Sequence, residues 1–141
     1  MAAYVDTSVL IPLFFNETGT AAARLAIASE ASMWISHWTL AEFSSATAFK
    51  LRTGQIEEQT AATAQGLFAQ FLASRLTVVD VLREDFVAAG RLCETTPAPG
   101  LRTPDALHLA IALRLGFPMV AFDKALISAC RLHGAAYRAN D

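Results

Sequence analysis

Short apolar segments alternate with helix-like segments along the chain, and this alternation restricts its fold more than any other feature. The apolar segments have the length and the β-branched, bulky composition of buried strands. Strands that alternate with helices are typical of a parallel sheet with helices on both faces. The pattern therefore predicts an α/β fold, a three-layer α/β/α sandwich with a mostly parallel central sheet of four or five strands.

The predicted elements follow one another without a linker or an internal repeat. Strands are expected at residues 3–5, 33–36, 76–82 and 118–122, with a possible edge strand at 135–138. Helices are expected at residues 9–15, 20–30, 40–52, 56–74, 83–94, 104–115 and 124–133. Thr103 is the expected N-cap of the sixth helix, and the segment 95–102, with two prolines and a glycine, is the expected loop.

The size and composition fit one domain with a large core. The chain has 141 residues, so residues 1–141 are expected to form a single domain. Hydrophobic residues make up 54% and charged residues 17%, so either the core is large or a partner covers apolar surface. No apolar run reaches the roughly 18 residues of a membrane span, and the first residues lack the basic region of a signal peptide. We therefore expect a cytoplasmic protein.

Four acidic residues occur where this fold would bring them together. Asp6 follows the first predicted strand and Asp123 the fourth, whereas Glu42 and Asp105 lie in the first turns of two predicted helices. Active sites of open parallel sheets lie at the C-terminal ends of the strands, and the helices begin near the same edge. We therefore expect the four carboxylates to converge at this edge.

Such a group of acids requires compensation, because neighbouring carboxylates repel one another in a partly buried site. Oxygen ligands select Mg²⁺ or Mn²⁺ over zinc. A cation of this kind suits the hydrolysis of a phosphodiester, since it activates water and neutralises charge on the phosphate. Ser8 is two residues past Asp6 and is a candidate to hydrogen-bond a ligand carboxylate or the phosphate, although a local turn bond is an equal explanation.

Each acid also has a purely structural explanation. Asp123 is suited to N-cap the helix after it, Asp105 to stabilise a helix dipole, and Glu42 to occupy a helix start. Asp6 stands apart because it does not open an obvious long helix. The prediction therefore depends on the set of four. The charge of the rest of the chain also bears on binding to nucleic acid. The whole chain carries −2, but without these four residues the bases outnumber the remaining acids.

The four acids and their neighbours form an ordered set of motifs that resembles the PIN-domain ribonucleases. The set comprises Asp6-Thr-Ser, Thr39-Leu-Ala-Glu42, Pro104-Asp105-Ala-Leu-His-Leu-Ala and Phe122-Asp123-Lys-Ala-Leu. Within that family the sequence looks most like the VapC-type toxins of bacterial toxin–antitoxin pairs. The match spans nearly the whole chain, and although each motif is short, four in this order are specific.

The resemblance implies a Mg²⁺- or Mn²⁺-dependent endoribonuclease that acts on structured RNA. It also implies that Asp6, Glu42, Asp105 and Asp123 are the metal ligands, that the chain forms a homodimer, and that a VapB-like antitoxin inhibits it. The sequence departs from many relatives at Ala121, where a threonine or serine would supply a hydroxyl beside the site. This departure keeps open a weak or inert PIN-like interaction domain, or a PIN-type nuclease outside a toxin–antitoxin pair.

Two other classes of protein also place an acid after the first strand. A phosphatase of the haloacid-dehalogenase type needs a second acid two residues later, where this chain has Ser8. A signalling receiver domain uses an adjacent acidic pair, which would also leave Glu42 and Asp105 unexplained. RNA is favoured over DNA by resemblance alone, because no residue pattern reads a 2′-hydroxyl.

Several residues around the acids are secondary candidates. His108, three residues after Asp105, is either a satisfied core histidine or a group that supports the site. The apolar segment 10–15 is expected to be partly core and partly a groove for an antitoxin helix. Candidates for contacts with a phosphate backbone, each with a solvated surface position as the alternative, are Lys50, Arg52, Arg102 and Lys124.

Overall fold

The computed structural model describes residues 2–138 and contains one five-stranded sheet. Its strands are β1 (Ala2–Val5), β2 (Ser32–Ser36), β3 (Leu76–Val79), β4 (Met119–Val120) and β5 (Tyr137–Arg138). Their order is β3-β2-β1-β4-β5, and every neighbouring pair is parallel. The predicted parallel sheet with a fifth strand at its edge is therefore confirmed. The domain expected over residues 1–141 includes residues 1 and 139–141, which lie outside the described part of the chain.

Seven helices connect the strands of this sheet in residues 2–138. They are α1 (Thr7–Phe14), α2 (Thr20–Ala28), α3 (His37–Arg52), α4 (Glu58–Arg75), α5 (Arg83–Thr95), α6 (Thr103–Leu115) and α7 (Lys124–Leu132). None of these helices in the described residues combines the length and hydropathy that a membrane crossing requires.

The side chains of the strands alternate between two hydrophobic cores, one on each face of the sheet. Tyr4 and Met119 contribute to the core that packs against α5, α6 and α7. Val5 and Val120, the next residues along the same strands, contribute to the core that packs against α1 to α4. This alternation buries both faces of the sheet and confirms the three-layer α/β/α sandwich.

The direction of the chain through the sheet changes between β1 and β4. From β1 the chain first proceeds outward through β2 to β3, and it then returns to the other side of β1 to form β4 and β5. Tyr4 pairs with Met119 and Val5 with Val120 across this junction. Adjacent connections diverge at such a point and leave a crevice at the C-terminal ends of the two strands.

Several boundaries differ from the predictions, and local side-chain bonds decide two of them. Helix α3 begins at His37 instead of residue 40, since the Thr39 hydroxyl accepts a hydrogen bond from the Ser36 N–H at 3.2 Å. Strand β3 ends early, because the N–H of Leu82 donates to the Asp85 carboxylate at 2.8 Å and begins α5. The prediction that Thr103 caps α6 was wrong: it is the first helical residue, and the cap is the preceding residue.

Candidate active site

Asp6 lies at the junction between β1 and β4, at the C-terminal end of β1. Its N–H donates to the carbonyl of Val120 at 2.9 Å, and the residue is only 3% exposed. The carboxylate Oδ2 accepts a hydrogen bond from the N–H of Ser8 at 3.2 Å. Asp6 is therefore the N-cap of α1, a helix of eight residues, so the capping explanation given for Asp123 applies to Asp6 as well. Helix α1 is short, with a proline inside, which is why its start was hard to recognise.

Asp105 lies in the first turn of α6, as predicted, and its charge is strongly opposed by its surroundings. Burial, together with the negative charges of Asp6 and Asp123, raises the pKa of Asp105 from its ordinary value of 3.8 to about 6. Arg102 acts in the opposite direction, and its Nε lies 3.7 Å from Oδ2 of Asp105. The structure thus brings three of the predicted acids into electrostatic contact.

Asp123 precedes α7 and is its N-cap. Its Oδ1 accepts a hydrogen bond from the N–H of Leu126 at 2.9 Å, so the structural explanation given for this residue is correct. The cap uses one carboxylate oxygen, and the charge still acts on Asp105. Capping and a role in the acidic site are therefore compatible for Asp123.

Glu42 lies in the second turn of α3, because that helix begins earlier than predicted. Its Oε1 accepts a hydrogen bond from the Thr7 hydroxyl at 2.7 Å and also contacts Nε2 of His108. Nε2 of His108 lies in turn 3.8 Å from Oδ1 of Asp6. Glu42 therefore lies at the same edge of the sheet as Asp6 but is connected to it through a histidine.

His108 joins the acids to the core and was only partly recognised from the sequence. Burial alone lowers its pKa, but the hydrogen bond to Glu42 and the charges of Asp6, Glu42 and Asp105 outweigh this, so the pKa of His108 is raised. Its Nδ1 lies 2.7 Å from the hydroxyl of Tyr4, which was not among the sequence candidates. The available signal was spacing, since Tyr4 is two residues before Asp6, which continues the extended backbone just past β1, and the two side chains therefore share a direction.

Ser8 connects α1 to the segment after β4. Its hydroxyl oxygen accepts a hydrogen bond from the N–H of Phe122 at 3.2 Å. The neighbouring Ala121 is fully buried and has no hydroxyl to offer. Ser8 thus holds the Asp6 and Asp123 segments together, and its contact with a ligand or a phosphate stays a prediction.

With this geometry established, comparison with known proteins gives a decisive match. The family model of the PIN domain matches residues 3–132. The chain belongs to the PIN-domain family. This confirms the resemblance inferred from the four motifs. No curated protein gives a significant match to the sequence.

Solved structures with the same fold include several proteins of toxin–antitoxin systems. VapC20 of Mycobacterium tuberculosis, described as a sarcin–ricin loop cleaving toxin, has a TM-score of 0.72 and 20% identity, covering 92% of this chain and 95% of that one. VapBC2 of Rickettsia felis, bound to a DNA fragment from its promoter, has a TM-score of 0.71, 18% identity and full coverage of both chains. A toxin–antitoxin complex from Klebsiella pneumoniae has a TM-score of 0.61 and 20% identity, with 86% coverage of each chain. At these identities the likeness establishes the shared fold.

The acids of this PIN domain suit a cation that needs few protein ligands. Within residues 2–138, no three acidic, histidine or cysteine side chains are grouped closely enough to hold one metal ion. The expectation of four tightly gathered carboxylates is therefore not met by the side chains as they stand. Mg²⁺ fits nonetheless, because it retains several waters and commonly uses only one or two carboxylates. Burial, together with the charges of Asp6 and Asp123, raises the pKa of Asp105, and a bound cation would offset this by favouring the ionised carboxylate.

The basic candidates differ in their availability to a phosphate backbone. Nζ of Lys50 lies 3.0 Å from a carboxylate oxygen of Glu17 and 5.2 Å from the centre of the Phe15 ring, so this side chain is already engaged. Arg52 lies over the ring of Phe49. Arg102 is different, because its side chain is 81% exposed beside Asp105. Arg102, like the exposed Lys124 next to Asp123, is thus a basic candidate with access to a ligand at the acids.

The apolar segment at residues 10–15 is more deeply engaged in the core than expected. Leu10 and Phe15 are buried, and Phe14 makes edge-to-face contacts with Phe43, Phe68 and Phe71. Packing within the chain accounts for these aromatic side chains. Substitution of Phe14 or Phe15 by glutamate would therefore disrupt the core before it could test an antitoxin groove.

Proposed function

We propose that this PIN domain is an endoribonuclease that depends on Mg²⁺ or Mn²⁺ and hydrolyses phosphodiester bonds in RNA. The observation that carries the proposal is the meeting of Asp6, Asp105 and Asp123 at the crevice of a PIN-domain sheet. Burial and the charges of Asp6 and Asp123 raise the pKa of Asp105 there. An ionised Asp105 at this crevice does not stabilise the folded state, because burial and its acidic neighbours oppose its charge. Carboxyls whose pKa is raised by burial and neighbouring acids are typical of functional sites, and a bound cation would offset both effects.

The roles proposed for the residues follow from their positions. Asp6, Asp105 and Asp123 would supply oxygen atoms to the cation, either directly or through its waters. Glu42 would provide a fourth carboxylate oxygen from α3. A bound divalent cation supplies an activated water and neutralises charge that builds up on the phosphate. The exposed guanidinium of Arg102, beside Asp105, would contact a phosphate of the RNA.

The proposed biological setting is that of a toxin with an antitoxin partner, acting as a homodimer in the cytoplasm. It is supported by PIN-family membership and by a fold shared with proteins of toxin–antitoxin complexes. A preference for structured RNA is supported by the fold shared with VapC20, which is described as cleaving the sarcin–ricin loop. Sedimentation of the purified chain would test the dimer, with a single monomeric species as the contrary result.

The central experiment compares the wild-type protein with Asp6→Asn on structured RNA and on DNA of the same sequence. We expect cleavage of RNA with Mn²⁺ or Mg²⁺, none with a chelator, and a loss of about 100-fold or more in Asp6→Asn. Asp80→Asn is the matched control, because the Asp80 side chain is 84% exposed and contacts His37 instead of the acids. Equal cleavage by wild type and Asp6→Asn would refute the assigned site.

Expression in a bacterial host would separate a toxin from an inert PIN-like domain. A toxin arrests growth and produces new RNA ends, whereas Asp6→Asn does neither. The inert alternative is favoured by one observation, the buried Ala121 where a hydroxyl would support the site. Equal growth and identical RNA ends in both strains would support that alternative, whereas RNA cleavage by the purified chain without toxicity would indicate a PIN nuclease outside a toxin–antitoxin pair.

A further inference from the structure

A chain of hydrogen bonds runs from the core of the sheet to Glu42. It begins at Ser36, whose Oγ lies 2.9 Å from the hydroxyl of Tyr4. The same hydroxyl lies 2.7 Å from Nδ1 of His108, and Nε2 of His108 contacts Oε1 of Glu42. These four side chains come from β1, β2, α3 and α6. The chain of bonds thus joins four separate elements at the crevice.

The two middle members are buried and hold each other in orientation. Tyr4 is fully buried and His108 is 1% exposed, with ring centres 5.6 Å apart. The imidazole cannot rotate without breaking its bonds at both nitrogen atoms. The Nε2 atom of His108 is therefore held against Glu42 and near Asp6.

Glu42 receives two protein partners on a single oxygen atom. Thr7 donates to Oε1 at 2.7 Å, and His108 contacts the same atom. In the described residues, no protein donor is found on the other oxygen, Oε2, which is therefore free for another ligand. A glutamate on a helix otherwise samples several rotamers, and holding it by one oxygen removes that freedom.

We propose that Tyr4 and His108 are positioning residues that hold Glu42 by Oε1 and leave Oε2 to the divalent cation or to a water bound to it. The inference rests on the proposed metal-dependent function and extends it to two residues outside the four acids. Partners behind a metal ligand commonly determine affinity, and their loss costs about 10- to 100-fold. Tyr4 would act through His108, and His108 through Glu42.

The test measures Mn²⁺ affinity by calorimetry in the absence of RNA. Tyr4→Phe removes only a hydroxyl, and we expect Mn²⁺ to bind about 10-fold more weakly. Tyr137→Phe is the matched control, because the Tyr137 hydroxyl, on the edge strand β5, accepts a hydrogen bond from Arg131 of α7, away from the acids, and its loss should leave affinity unchanged. His108→Leu should weaken binding at least as much as Tyr4→Phe, whereas His108→Gln, which retains an N–H donor, should recover part of the loss.

A double-mutant cycle distinguishes positioning from a general loss of structure. If Tyr4 acts through Glu42, adding Tyr4→Phe to Glu42→Gln should weaken Mn²⁺ binding no further, whereas a general structural defect would add to the effect. Wild-type affinity in folded Tyr4→Phe and His108→Leu would overturn the positioning inference alone. Failure of the wild-type chain to bind Mn²⁺, by contrast, would overturn the proposed function together with the inference.

Discussion

The charge of Asp105 should make the metal-free protein less stable than its asparagine variant. The pKa of this carboxyl is raised in the folded protein, so folding is penalised at any pH at which the group is ionised. The penalty is absent below the ordinary pKa of 3.8, grows between there and about pH 6, and is complete above it. Asp105→Asn keeps the shape of the side chain and removes the charge, so it should remove the penalty.

The size of the effect follows from the size of the shift. A shift from 3.8 to about 6 corresponds to about 3 kcal/mol at neutral pH. The Asp105 side chain is 13% exposed, so solvent screens the charge only modestly. Relaxation around the charge makes this an upper limit, and we expect Asp105→Asn to raise the free energy of unfolding by about 1–3 kcal/mol. For a domain of this size that is about 3–10 °C in Tm.

Urea unfolding in the presence of a chelator, at pH 7.5 and at pH 4, would measure this directly. The variant should be more stable than wild type at pH 7.5 and indistinguishable from it at pH 4. Addition of Mn²⁺ should stabilise the wild type more than Asp105→Asn, because a ligand that binds the folded state stabilises it. Asp80→Asn, an exposed acid, provides the control and should change stability little at either pH.

Two outcomes would refute the electrostatic reasoning for Asp105. One is an asparagine variant that is no more stable than the wild type at pH 7.5. The other is a stabilisation of equal size at both pH values, since that would come from packing and not from charge.

Two further predictions concern one stabilising interaction on each side of the sheet, an aromatic cluster and an ion pair, and urea unfolding tests both. Phe14→Ala should lower the free energy of unfolding by about 3–4 kcal/mol, because the Phe14 ring packs among other phenylalanines. Phe49→Ala, at a residue that is 51% exposed, should cost far less, and equal costs would contradict the core assignment. Arg114→Met should lower the free energy of unfolding by about 3 kcal/mol. It removes the guanidinium that donates to both carboxylate oxygens of Asp85, at 2.8 and 3.0 Å, and leaves that 2% exposed charge unpaired. The exposed Arg91→Met is its control, and a matching loss there would mean that the ion pair is not responsible.

Local sequence signals were sufficient for most elements of this fold. The apolar segment before Asp6 forms β1, and Gly116 ends α6 in the left-handed region, with φ of 70°, as a glycine after a helix is expected to do. These features depend on residues within a few positions of one another. The boundaries at Thr39 and Thr103 were missed because competing caps were available at neighbouring positions, and local propensity does not choose between them.

The sequence by itself determined the order of strands and helices, the positions of Asp6 and Asp123 after strands and of Asp105 at a helix start, and membership of the PIN family through the spacing of its motifs. Only the tertiary structure decided that β1 lies between β2 and β4, which places Asp6 and Asp123 at one crevice. It also decided the partners of His108, which are 104 residues away at Tyr4 and 66 residues away at Glu42. The physical reason is that burial, pKa and hydrogen bonding at a site arise from groups that are distant along the chain, and no local pattern encodes which of them will meet.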